Sequence, residues 1–281
     1  MMWHNRRPMQ EGRASQTAVM VCSARALAHL EGKVPGFSDP TALALLPEDA
    51  RARFEQVRAG QPVTSARKRF AQKFLQGRSH MMAVRTVAID QAVRESAPSQ
   101  VVIMGAGLDG RAWRMPELRD ALVFEVDHPD TQRDKLERLE RLDIKTGHIT
   151  FVAADFGDDG LGAIVTGAGF RPDVPALFLC EGVAIYLERP VLESLLRELR
   201  GIATDGSLLA ISLSVTSSSA AESVRRQAFR TAVAAMGEPA RTVLRPDELD
   251  SLLSTTGWTL RTTQSERARL AGLLVLEPTS L

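Results

Sequence analysis

The chain has 281 residues, a formal net charge of +1 and 25% charged residues, so it is long enough for one large α/β domain with an appendage. Such a near-neutral balance supplies no field that would draw nucleic acid or a membrane surface, and no apolar stretch reaches the ~18 residues of a membrane span. Two distant cysteines, Cys22 and Cys180, read as reduced thiols of a cytoplasmic protein, not as a disulfide framework.

The opening MMWHNRRPMQEGR has no apolar segment behind its basic residues and is not expected to act as a secretory signal. Residues 1–98 read as helical. An alanine-rich helix is expected over 14–30, closed by Gly32. Asp39 is placed to cap a short helix over 41–46, with Pro40 in its first turn. Gln61-Pro62 breaks the chain. A basic helix over 65–76, carrying Arg67, Lys68, Arg69 and Lys73, reads as a solvated face, and a further helix over 79–95 contains Arg85.

The stretch 101–127 organises the rest of the chain. Val101–Met104 is an apolar run suited to a buried parallel strand, and Gly105, Ala106 and Gly107 then break it. A helix is expected from about 110 to 120, and a second strand over 121–126 delivers Glu125 and Asp127 to its carboxyl end. Strand, glycine loop, helix, strand, acid is the wiring of a nucleotide-binding βαβ unit, in which loop amides face the ligand and the acid accepts ribose hydroxyls. Gly105, Gly107 and Gly110 satisfy G-x-G-x-x-G, a pattern that suits a dinucleotide and S-adenosylmethionine alike. A bare strand-to-helix turn would account for the glycines but not for the acid.

Further on, a charged helix is expected over 131–142 and strands over 149–154, 176–180 and 207–213. A helix over 190–202 has leucines at helical spacing. The polar run Ser217-Ser218-Ser219 leads to an inserted helix over 220–236, and another helix starts at Arg245-Pro246-Asp247 and runs to about 254. Two final strands, 258–263 and 270–276, read as an antiparallel pair. Alternation of strands and helices makes this an α/β three-layer sandwich. Asp127, Asp155 and Glu181 each end a strand, where open parallel sheets bind ligands. A ribose, an exocyclic amine and an ammonium group would engage all three, and S-adenosylmethionine carries each of these.

At these residues the sequence resembles the leucine carboxyl methyltransferase family, in particular its bacterial branch of S-adenosylmethionine-dependent O-methyltransferases. The resemblance rests on Arg85-Thr86 with Ile89-Asp90, on VVIMGAGLD ending at Asp109, and on Arg111-Ala-Trp-Arg114. It continues through Phe124-Glu-Val-Asp127-His-Pro129, Ala154-Asp155-Phe156 and Glu181-Gly-Val-Ala-Ile-Tyr-Leu187, with Thr17-Ala18 and Phe37-Ser-Asp-Pro40 near the start. It runs through about 14–213 and is weak afterwards.

The resemblance implies a Rossmann-like class I methyltransferase sandwich with a mostly parallel seven-stranded sheet. A helical cap over 1–98 and a cofactor domain over 99–281, with a lid insertion at about 214–245, would form one structural unit. Arg85 matches the arginine that pairs with the methionine carboxylate, Gly105 the loop glycine beside it, and Asp127 the ribose acid. Asp155 and Phe156 match the pair that flanks adenine, and Glu181 the acid near the methionine end. Arg25 corresponds loosely to a second cation near the carboxylate. With their neighbours, the expected cofactor-binding set is Arg85, Gly105, Ala106, Gly107, Asp109, Glu125, Asp127, His128, Asp155, Phe156, Glu181 and Gly182. Gly110 stands where the family usually has a threonine, which removes one hydroxyl, and Phe156 stands where leucine is more usual.

The sulfonium is already a strong electrophile, so the protein mainly aligns an acceptor oxygen. A carboxylate acceptor needs no general base. A hydroxyl would be helped by one, and Tyr186 and His128 are the candidates. No histidine or cysteine cluster has metal-ligand spacing. The acceptor expected is a small molecule such as a polyketide, with a protein C-terminal carboxylate as the alternative. An NAD-dependent oxidoreductase would use the same glycines but leaves Arg85 and the serial acids unexplained. A non-catalytic S-adenosylmethionine-binding protein remains the third reading.

Overall fold

The computed structural model describes residues 16–59, 65–156, 160–216, 241–262 and 272–279. The N-terminal helices are α1 (Gln16–Glu31), α2 (Thr41–Leu45), α3 (Glu48–Arg58) and α4 (Ala66–Ser96). After them come β1 (Gln100–Met104), α5 (Arg111–Arg114), β2 (Leu122–Asp127), α6 (Pro129–Arg141), β3 (Ile149–Ala153) and α7 (Leu161–Gly167). The chain continues with β4 (Leu177–Cys180), α8 (Arg189–Gly201), β5 (Leu208–Ser212), α9 (Pro246–Thr256), β6 (Trp258–Leu260) and β7 (Leu273–Pro278).

The seven strands lie in the order β3-β2-β1-β4-β5-β7-β6. β1 to β5 are parallel, while β7 runs antiparallel to both β5 and β6. This is the expected three-layer α/β sandwich with a mostly parallel seven-stranded sheet. All residues of β1 and β4 are buried, as strands covered on both faces must be. One face packs Phe124, Phe178 and Ile211 under Leu192, Leu195, Leu196 and Leu199 of α8 and the Trp258 ring. Each such leucine, fully buried, contributes about 1.5–3 kcal/mol. The other face packs Ile103, Val123 and Leu179 against Ala88, Ile89 and Val93 of α4. Among the described residues no helix is long and apolar enough to cross a membrane.

Three expectations are corrected. The helices expected over 65–76 and 79–95 are one continuous α4. Gly77 costs a helix only about 1 kcal/mol, and Ser79 ties the junction by donating its hydroxyl to the Gln76 carbonyl at 2.9 Å. The helix expected from 110 to 120 instead stops at Arg114 and resumes as a 3-10 turn over Pro116–Leu118. Pro116 has no amide hydrogen and forces Met115 into extended backbone (φ −98°, ψ 114°). Asp39 does hold the Ala42 amide (3.1 Å), but Pro40 occupies the cap position itself. α3 and α7 were not anticipated.

The inserted helix expected over 220–236 and the Ser217-Ser218-Ser219 run lie outside the described residues. Both feet of that insertion are described. Val215 and Leu244 form a parallel bridge, and the Arg241 amide donates to the Ile185 carbonyl at 2.8 Å.

Candidate functional site

The parallel register sets four strand ends side by side. Met104 lies beside Val126 and Cys180, and Cys180 lies beside Ile211. Gly105, Asp127, Glu181 and Ser212 therefore form a row along the carboxyl edge. Gly105 and Gly107 have φ of +60° and +49°, where a side chain would be strained. The amides of Gly105 and Ala106 both donate to the Val126 carbonyl, at 2.8 and 3.2 Å, which folds the loop over the end of β2. Gly110 has another role. A Cβ there would collide with the Thr41 hydroxyl of α2, so this glycine serves helix packing.

Asp127 latches the loop. Its carboxylate accepts the Gly107 amide on one oxygen and the His128 amide on the other, at 2.7 Å. Burial pushes this carboxyl above the usual aspartate value, although both amides pull the other way. Each oxygen keeps a lone pair for a ligand hydroxyl. The Asp127 carbonyl also accepts the Ala154 amide (3.0 Å), which fixes the approach to Asp155. Phe156 is partly buried against the core. The His128 ring accepts the Asp130 amide (3.3 Å) and caps α6.

On the β4 side, the Gly182 amide donates to the Ser212 hydroxyl at 2.8 Å. Arg85 of α4 donates to Glu181 at 2.8 Å, and a second guanidinium, that of Arg111, lies 3.6 Å from the same carboxylate. Arg111 is almost wholly buried, and its outer nitrogen has no hydrogen-bond partner among the described residues.

Behind the loop runs a buried ladder of charges. Arg111 donates to Asp90 (3.0 Å) and to Asp109, and Arg114 grips Asp90 with both nitrogens, at 2.6 and 2.8 Å. Arg25 sits 3.0 Å from Asp39 and donates to the Leu108 carbonyl at 2.6 Å. Burial would raise the Asp90 and Asp109 carboxyls, but Arg111 with its neighbours holds both below the ordinary range. Burial likewise would lower Arg111, and Asp109 and Asp90 instead raise it.

These contacts correct three expected roles. Asp109 is engaged by Arg111 on both oxygens. Glu125 is paired with the buried Lys135 at 2.6 Å, and Arg25 faces Asp39 and the loop carbonyl. All three hold the loop from behind: Glu125 is buried on β2 and Arg25 on α1, and Asp109, in the loop itself, is turned to Arg111. Lys135 and the ladder role of Arg111 were missed. Asp109 two residues before Arg111 was the available signal.

S-adenosylmethionine, the cofactor implied by the resemblance, fits this donor set. Asp127 suits ribose hydroxyls, and the Arg85 cation beside the Glu181 anion suits the two charges of an amino-acid zwitterion. Arg111 has a free donor, and at Gly182 a Cβ would meet only Arg85, at 4.0 Å.

Residues 18–200 match the leucine carboxyl methyltransferase family. A Mycobacterium sp. (strain JLS) protein provisionally named an S-adenosyl-L-methionine-dependent methyltransferase is 32% identical over 195 residues, 69% of this chain and 64% of its own length. One from Streptomyces avermitilis, named in the same provisional way, is 34% identical over 140 residues, 48% of this chain and 49% of its own. The matches to these two relatives thus span about half to two thirds of their length. Among solved structures, a DUF574 family protein of Streptomyces avermitilis superposes with a TM-score of 0.58 at 14% identity, covering 95% of this chain and 98% of that one. With the family match covering well over half of its residues, the chain belongs to the leucine carboxyl methyltransferase family.

Proposed function

We propose that this protein is an S-adenosylmethionine-dependent methyltransferase acting on an oxygen of a small molecule. One observation carries the reading: the Arg85–Glu181 ion pair stands in the same row of strand ends as the glycine loop and Asp127. A nicotinamide dinucleotide has no amino-acid zwitterion for that pair to hold. The cofactor, when bound, supplies a methyl group on a sulfonium. Arg85, with Arg111 behind it, holds the methionine carboxylate, Glu181 takes the ammonium and Asp127 the ribose. Gly105 and Gly107 let the loop pack against Val183 and Ala18, Gly182 leaves space beside Arg85, and Asp155 and Phe156 border the adenine. Asp109 and Glu125 fix the loop without touching the ligand. Of the two candidates, Tyr186 is the one we favour to assist a hydroxyl acceptor, since the His128 ring caps a helix and is 38% exposed.

Calorimetry with S-adenosylmethionine, S-adenosylhomocysteine and NAD tests the reading, together with transfer of labelled methyl to a cell extract. Asp127→Ala should weaken cofactor binding by about 1–3 kcal/mol, the cost of leaving hydrogen-bond partners unmatched. NAD binding in preference to S-adenosylmethionine would overturn the assignment, and binding without transfer to any acceptor would favour the non-catalytic reading.

We further propose that the helical cap (1–98) and the insertion (about 214–245) together cover the acceptor. The support is that the insertion's foot docks on the turn that carries Tyr186. Replacing 220–236 with a short linker should abolish methyl transfer and leave cofactor affinity near wild type. Retained turnover would remove the lid role.

A further inference from the structure

The segment that leaves β4 touches the cofactor loop at one end and the insertion at the other. Glu181 meets Arg85, and the Gly182 amide is held by the Ser212 hydroxyl. Val183 comes next. A Cβ at Gly105 would lie 2.2 Å from the Val183 Cγ2, so the first glycine of the motif is the seat of a valine methyl. The same side chain packs against the core that contains Phe178 and Leu192. A β-branched residue has little freedom at χ1. Val183 is therefore a stiff wedge between the glycine loop and the sheet's core.

Directly behind the wedge, the turn Ala184–Tyr186 is closed by the Tyr186 amide, which donates to the Val183 carbonyl at 2.9 Å. This turn carries the C-terminal foot of the insertion. The Ile185 carbonyl accepts the amides of Arg241 and Thr242, at 2.8 and 3.3 Å. The Thr242 hydroxyl donates to the Leu187 carbonyl at 2.5 Å, and the Arg241 guanidinium reaches Glu188 at 2.8 Å. A second anchor lies just beyond. There the Leu244 amide donates to the Ser214 carbonyl (2.8 Å) and the Thr216 amide to the Leu244 carbonyl (2.7 Å). The first anchor leads through Val183 to Gly105, whereas the second continues β5 and belongs to the sheet.

We propose that Val183 is a positioning residue that couples the cofactor loop to the acceptor side: a ligand that orders Gly105–Gly107 also orders the insertion's foot at Arg241 and Thr242. This rests on the methyltransferase reading above, since the ligand that orders the loop is its cofactor. A close-packed contact has no void to absorb a shift of one partner alone, so loop and turn move together while the valine methyl fills the seat above Gly105. Binding that rigidifies the loop then reduces the conformational entropy still to be lost at the foot. The acceptor meets a finished cover only after the cofactor has entered.

The test is residue-resolved amide hydrogen exchange on the full chain, with and without saturating S-adenosylhomocysteine. In wild type the Arg241 and Thr242 amides should exchange about tenfold more slowly once the ligand is bound. The Thr216 and Leu244 amides, held by the second anchor, should change far less. Val183→Ala empties the seat above Gly105 and should lose the slowing at Arg241 and Thr242 even at saturation. Val183→Ile keeps the methyl that faces Gly105 and should retain it. Unchanged rates at Arg241 and Thr242 in wild type, equal slowing of all four amides, or full slowing in Val183→Ala would overturn the coupling. Wild type that binds no S-adenosylhomocysteine would instead sink the methyltransferase reading beneath it.

Discussion

Arginines on the two sides of the same row of strand ends are built in opposite ways. Arg25, Arg111 and Arg114 lie behind the glycine loop with side chains 5%, 1% and 6% exposed, each set against Asp39, Asp90 or Asp109. Arg85, on the open side, is 17% exposed and paired with one carboxylate. In the first group every guanidinium is set against a buried carboxylate, so the ladder fixes the loop's shape, and what it offers a ligand is the outer nitrogen of Arg111. In the second, the Arg85–Glu181 pair borders the open row of strand ends, where a ligand's charges can join it. Sealed ion pairs are costly to break because the partner left behind is stranded in low dielectric, whereas partly exposed pairs contribute little to stability.

The difference is most sharply tested at Arg111. Arg111→Met should strand Asp109 and half-strand Asp90, destabilising the fold by about 3–5 kcal/mol in urea denaturation. Arg85→Ala should scarcely move the urea midpoint but should weaken S-adenosylmethionine binding by about 1.5–3 kcal/mol, with Arg85→Lys intermediate because a lysine lacks the planar fork. A decarboxylated cofactor analogue should bind wild type and Arg85→Ala about equally. Equal destabilisation by both Arg111→Met and Arg85→Ala would erase the distinction between the two groups.

The smallest effect is a separation by acid. Asp90 and Asp109 are held below the ordinary value of 3.8 in the fold, so their stabilisation is complete above that value and is lost only as pH falls through the lowered one. Asp127 is raised above 3.8 and protonates first. On acidification, cofactor affinity should therefore decline while the fold still persists, and Asp127→Asn should flatten that decline. Circular dichroism and calorimetry across the same pH series would show the two events apart, and a coincident loss would count against the assignment.

The strands β1 to β4 were legible because each is a compact apolar run leading to a glycine or an acid, and the row of Gly105, Asp127 and Glu181 emerges from that pattern alone. Arg85 was legible only through the family resemblance. What stayed hidden is tertiary. Asp109, in the glycine loop, and Asp127, at the end of β2, are both acids at the carboxyl edge, and only the nearby Arg111 hinted that one meets a buried arginine while the other meets the loop amides. The break at Pro116 was written plainly in the sequence. Continuity through Gly77 was not, since packing along α4 outweighs a single poor helix former.

The contact between Gly110 and Thr41 carries a practical consequence for recombining these proteins. The glycine that completes the motif is shaped by α2, Arg25 of α1 clasps the Leu108 carbonyl, and Arg114 lies 3.8 Å from Asp39. The N-terminal helices and the loop are thus cut to fit each other. Swapping the first hundred residues between relatives would transplant one half of a lock without its key. Productive chimeras will need their crossover placed after Arg114, so that helices and loop are inherited together.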